Sequence, residues 1–152
     1  ILSPDGPLAA LEYLRDQGVV DNIGFTSEDN NMAVYRFIAS GRFDVAQLCY
    51  NLIFQHPYDP TRPYGSLMEA KKQGLSTVTM RATTSGIFQR FMKTIRPDDT
   101  FDYTPHLIHF ALSNPYTDVV LVGMRSKHEV DANVALADLP PMDLDEIHRR
   151  YR

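Results

Sequence analysis

The stretch VLVGMRSKHEVDANV, residues 120–134, combines an apolar run, a glycine and a helical pattern in that order. This order is typical of a strand that turns into a helix, and Ser126 with Glu129 has the spacing of a capping box at the helix start. The free backbone amides of a helix N-terminus also bind anions, and Arg125 adds a positive charge beside them. The local spacing favours an ordinary capped helix, and an anion site is the alternative.

The same alternation of a short apolar strand with a helical pattern occurs four times along the chain. Strands are predicted at residues 22–25, 44–51, 76–80 and 118–123, and a helix precedes the first. Strands that alternate with helices favour a parallel sheet with right-handed crossovers. A doubly wound open sheet and half of a (β/α)8 barrel both fit. The missing GxGxxG fingerprint weakens the dinucleotide-binding version of the open sheet.

Capping signals place several helix ends. Hydroxyls and acids at residues 26–29 follow the first strand and predict the capped start of the next helix. Gly18 suits the left-handed end of the first helix. Ser66 and Glu69 have capping-box spacing ahead of a helix that ends at Gly74. The segment IFQRFMKTI, residues 87–95, is predicted to be a short amphipathic helix, and DLDEIHRRY, residues 143–151, is predicted to be a terminal helix.

Length and composition narrow the class of protein. The 152 residues, of which 43% are hydrophobic, suit one domain over residues 1–152. The formal net charge is −4 and dispersed, so no nucleic-acid partner is expected, and no apolar run is long enough for a membrane span. The single Cys49 fits a reducing, cytoplasmic compartment. The chain begins ILSPDG without methionine, so it is expected to be either processed or a piece of something longer.

Polar side chains at and near the predicted strand ends are the candidates for ligand binding. Thr26 and Ser27 close the first strand, where helix capping explains their hydroxyls better than a ligand does. Gln47 lies mid-strand among apolar residues, and a ligand or a neighbouring backbone group would satisfy its amide equally well. The sequence TTSG at residues 83–86 suits a phosphate loop, and a plain polar turn is an equal explanation.

No local pattern establishes catalysis or metal binding. His106 and His109 have the i, i+3 spacing of one helix face, but this pair alone does not make a metal site, so a structural role is expected. Cys49 is expected to be a small core residue. The sequence contains no recognisable acid/base pair, nucleophile elbow or zinc signature.

Four segments in the correct order make the chain resemble the C-terminal half of the aldo-keto reductase family, strands five to eight of its barrel. They are LEYLRDQGVVDNIGFTS, FDVAQLCYNL, the TSGIF segment after STVTM, and LSNPYTDVVLVGMRSKHEVDANV. The resemblance implies half of a (β/α)8 TIM barrel, with four parallel strands alternating with helices. It also implies an enzyme that binds NADP or NAD without a Rossmann fold and reduces small aldehydes or ketones.

The same resemblance implies which residues hold the cofactor. The nicotinamide end comprises Thr26, Ser27, Gln47 and Met80. The pyrophosphate loop comprises Thr83, Ser85 and Gly86. The adenosine end comprises Gly123, Met124, Arg125, Glu129 and Asn133.

Three residues depart from the family pattern. Ser27 replaces the usual asparagine and offers a shorter, different set of hydrogen bonds, and Met80 replaces an aromatic residue, although its thioether still packs on a ring. Glu129 falls where many members carry a basic residue or glutamine beside the adenosine ribose. Because a carboxylate repels a 2′-phosphate, we expect the chain to tolerate NAD better than many relatives do.

The family's catalytic Asp, Tyr, Lys and His all lie in the first half of the barrel, so the resemblance assigns no catalytic residue here. Tyr50 and Tyr64 are not at matching places. We therefore expect an NAD(P)H-dependent oxidoreductase represented by its cofactor-binding half and inactive alone. The alternative is a non-catalytic half-barrel that serves as a nucleotide-binding or assembly module.

Four strands cut from a barrel leave two open edges, and unpaired edges invite pairing with another chain. The expected outcomes are a fragment of a longer enzyme, self-association through these edges, or a stable open half.

Overall fold

A computed structural model describes residues 1–55 and 65–143. The strands are β1 (Gly24–Ser27), β2 (Val45–Cys49), β3 (Ser76–Met80) and β4 (Val119–Val120). The helices are α1 (Pro7–Asp16), α2 (Met32–Ala39), α3 (Gly65–Lys72), α4 (Ile87–Ile95), α5 (Thr104–Leu112) and α6 (Lys127–Ala137), with a 3₁₀ turn at Thr84–Gly86. Tyr64 and, apart from Asp143, the predicted terminal helix lie outside the described residues.

The strands form one parallel sheet in the order β1-β2-β3-β4, and they alternate with helices as predicted. The register of β1 on β2 runs from Gly24 opposite Val45 to Ser27 opposite Leu48. On β2, Ala46 and Leu48 are buried, while the alternate residues Val45, Gln47 and Cys49 are half-buried. One face of this strand therefore belongs to the core and the other is partly open.

Two elements match their predicted bounds: β3 at residues 76–80 and α4, which is the segment IFQRFMKTI. The other strands differ from prediction. The first lies at Gly24–Ser27 rather than residues 22–25, the second is shorter than residues 44–51, and the fourth has two residues rather than six. The Leu121 N–H still donates to the Thr79 carbonyl at 2.8 Å, but extended pairing ends there because the chain turns towards α6.

Two capping predictions are wrong. The cap of α2 is Asn31, whose side chain accepts from the Ala33 and Val34 amides, so the hydroxyls of Thr26 and Ser27 do not cap this helix. Ser66 lies inside α3, which begins at Gly65, and its side chain is buried. The cap that residues 120–134 predicted is confirmed, because the Glu129 N–H donates to Ser126 Oγ at 3.2 Å.

Gly18 and Gly74 end their helices in the left-handed region, with φ of +70° and +82°. After α1 the Gly18 N–H bonds the Arg15 carbonyl and the Val19 N–H bonds the Leu14 carbonyl. This is the Schellman pattern, and an added Cβ at Gly18 would meet no atom within 4 Å. The preference for glycine at this position is therefore conformational.

The described chain divides into two compact units. The first contains residues 1–48 and 65–78, and the second contains residues 49–55 and 79–143. The apolar core of the first unit includes Leu8, Val34, Ile38, Ala46, Leu48, Leu67 and Ala70. The core of the second includes Tyr50, Ala82, Leu107, Ile108, Phe110 and Ala111.

Across residues 1–55 and 65–143, none of the helices combines the length and the apolar character that a bilayer crossing requires.

Candidate functional site

In the first unit, the structure brings Thr26 and Gln47 together as direct partners across β1 and β2. Registered partners of neighbouring strands project to the same face of a sheet. Gln47 is half-buried and Thr26 is exposed, on the face opposite Ala46 and Leu48. A hydroxyl and an amide therefore lie side by side at the partly open face, and together they are able to donate and accept hydrogen bonds.

Ser27 alternates with Thr26 and projects to the other face of β1. Its hydroxyl is engaged locally, since Oγ accepts from the Asp29 N–H and donates to the Asp29 carbonyl, both at 3.1 Å. The same face carries Phe25, which packs edge-on against Phe37 and Phe43. The family resemblance assigns both Thr26 and Ser27 to the nicotinamide end, but the two side chains project to opposite faces of β1.

In the second unit, the loop after β3 has an unusual backbone. Arg81, Thr84 and Ser85 have φ of 65°, 57° and 52°, and Gly86 follows at 75°. Such conformations are costly for residues with a Cβ and are commonest at functional sites. The turn is held by the Thr84 N–H, which donates to the Arg81 carbonyl at 2.7 Å, and by the Thr84 hydroxyl, which accepts from the Phe88 N–H at 3.0 Å.

Two guanidinium groups lie against this loop. Arg81 Nη1 donates to Ser85 Oγ at 3.4 Å, and Arg90 Nη1 lies 3.4 Å from the place where a Cβ on Gly86 would be. Cations beside a hydroxyl and a tight turn suit a phosphate-type anion. Sequence reasoning named Thr83, Ser85 and Gly86 but missed both arginines. The available signal was one arginine directly after the strand and another four residues beyond Gly86.

The junction between β4 and α6 is exposed. Gly123, Met124 and Arg125 all lie at the surface, and an added Cβ at Gly123 would meet open space. The Arg125 N–H donates to the carboxylate of Glu129, so the Glu129 side chain already accepts from a backbone donor at the helix start. Asn133 lies one turn further along α6 than Glu129, on the same helix face, and is half-buried.

Tyr50 and His109, which the sequence analysis considered for chemistry, lie in contacts that suit a structural role. Tyr50 is buried and stacks on Phe110 with 5.6 Å between ring centroids. Burial raises the pKa of Tyr50, and a hydrogen bond with Asn114 acts in the opposite direction. His109 Nε2 lies 3.0 Å from the Pro140 carbonyl oxygen. Within the part of the chain that the structure describes, no group of three or more His, Cys, Asp or Glu could hold a metal ion.

Met80 and Cys49 close their strands, and both are half-buried. Cys49 is the single cysteine of the sequence, and its sulfur lies 3.8 Å from Asn51 Nδ2. The buried Asn51 side chain also accepts from the Ile53 and Phe54 amides, and these bonds order the chain after β2.

No protein-family model matches the sequence, and no curated protein matches it either. Among solved structures, the chain is similar to the holo form of an aldo-keto reductase from Bacillus halodurans. The TM-score is 0.68 and the identity is 17%, over 95% of this chain and 55% of the other. The chain therefore spans about half the length of that relative. At this identity the likeness establishes the fold alone: four parallel strands alternating with helices, as in part of an aldo-keto reductase barrel.

Proposed function

We propose that this chain is the C-terminal, cofactor-binding half of an NAD(P)H-dependent aldo-keto reductase. The observation that carries the proposal is the strained loop Arg81–Gly86 with its two guanidinium groups. The loop follows a strand of a fold that is similar to an aldo-keto reductase in its holo form. A pyrophosphate fits such a loop, because its charge matches the cations and its oxygens accept from the hydroxyl.

Within the first unit, Thr26 and Gln47 offer a hydroxyl and an amide to a nicotinamide carboxamide. Within the second unit, the Arg81–Gly86 loop offers cations to a pyrophosphate. The bound cofactor would supply a hydride for the reduction of a small aldehyde or ketone. The residues of this chain would bind and orient the cofactor. The proton donor for the carbonyl would come from the other half of the barrel, so the isolated chain is expected to be inactive.

The first test is nucleotide binding by the purified chain, measured by saturation-transfer NMR because weak binding is expected of a half-barrel. We expect saturable binding of NADH or NADPH, weakened at least about tenfold by Arg81→Ala with Arg90→Ala, since each charge-assisted bond contributes about 1.5–3 kcal/mol. The matched control removes two cations elsewhere, with Arg36→Ala and Lys72→Ala, and should leave binding unchanged. Absence of binding, or equal affinity in both double variants, would contradict the proposal.

Nucleotide binding also fits the alternative, a non-catalytic nucleotide-binding or assembly module. The mass of the native polypeptide separates the two. A native mass about twice 17.3 kDa, with oxidation of NAD(P)H by small carbonyl compounds, supports the reductase. A native polypeptide of 17.3 kDa that binds nucleotide without turnover supports the module. Cytoplasmic location and self-association through the sheet edges stay predictions.

A further inference from the structure

We draw no further inference here: the strongest candidate, the cavity of about 360 Å³ between α4 and residues 99–103, selects no class of ligand, because the residues described around it include two cations and two carboxylates, and nothing in the structure shows what covers it.

Discussion

Glu129 holds the start of α6 with both its backbone and its side chain. Its N–H donates to Ser126 Oγ, and its carboxylate accepts from the Arg125 N–H. A phosphate placed at this helix start would have to displace the carboxylate from that amide and tolerate its charge. The cap that the sequence favoured is thus present, and it opposes an additional anion at the same place.

On the proposed cofactor role, Glu129→Gln should strengthen NADP binding more than NAD binding. The change keeps the size of the side chain and removes the repulsion of a 2′-phosphate, so a gain of about fivefold to tenfold is expected for NADP alone. Dissociation constants measured by calorimetry check this. Asp131→Asn removes a charge from the same helix, where Asp131 pairs with Lys127, and should change neither constant. Equal effects on both nucleotides, or equal wild-type constants, would contradict the role of Glu129.

At the scale of elements, α2 depends on one side chain at its start. Asn31 Oδ1 accepts from the Ala33 N–H at 2.9 Å and from the Val34 N–H at 3.3 Å. Asn31→Ala should lower the free energy of unfolding by about 1 kcal/mol, because these helix-end amides lose their partner. Asn31→Asp should keep the stability, since aspartate caps equally well. Urea denaturation measures both variants, and a loss in Asn31→Asp as large as in Asn31→Ala would contradict the capping role.

Another element-scale contact ties α1 to the segment before β2. Arg42 donates to both carboxylate oxygens of Glu12 and, through Nη1, to the Leu2 carbonyl at 2.9 Å. The hydrogen bond from Arg42 lowers the pKa of Glu12 below its ordinary value of 4.5. A carboxyl group with a lowered folded-state pKa contributes stability above its unfolded value, and this contribution is lost as the pH falls through the folded value.

The stability difference between the wild type and Glu12→Gln should therefore be present at pH 7 and shrink towards zero as the pH falls below about 4. Thermal unfolding across this range measures it. Arg42→Gln should show the same pH dependence, and the coupling energy of the double-mutant cycle should vanish at low pH. A coupling energy that does not change with pH would contradict the assignment.

For the whole molecule, the sheet order makes β1 and β4 the edges among the described strands. Edge amides open more readily than central ones, so exchange should be at least about tenfold slower in β2 and β3 than in β1 and β4. Hydrogen exchange at several protein concentrations measures this. Protection of β1 and β4 that rises with concentration would instead show that the edges pair with another chain, as an open half-barrel invites.

The sequence by itself determined the elements whose local signals agree. Residues 76–80 form β3 as predicted, because a β-branched run is bounded by a glycine on one side and a polar turn on the other. The segment at residues 87–95 forms α4, because its apolar residues recur at helical spacing. The alternation of four such strand–helix pairs was enough to predict a parallel α/β sheet, and Ser126 was enough for the start of α6.

Tertiary structure decided what depends on residues far apart or on a choice among equal signals. The run TSEDNN at residues 26–31 offers several caps, and packing of Tyr35 and Ile38 into the core sets the start of α2 so that Asn31 takes the role. The length of β4 depends on its pairing with β3. Thr84 and Ser85 adopt positive φ in the turn after β3, a backbone state that no residue pattern there prescribes.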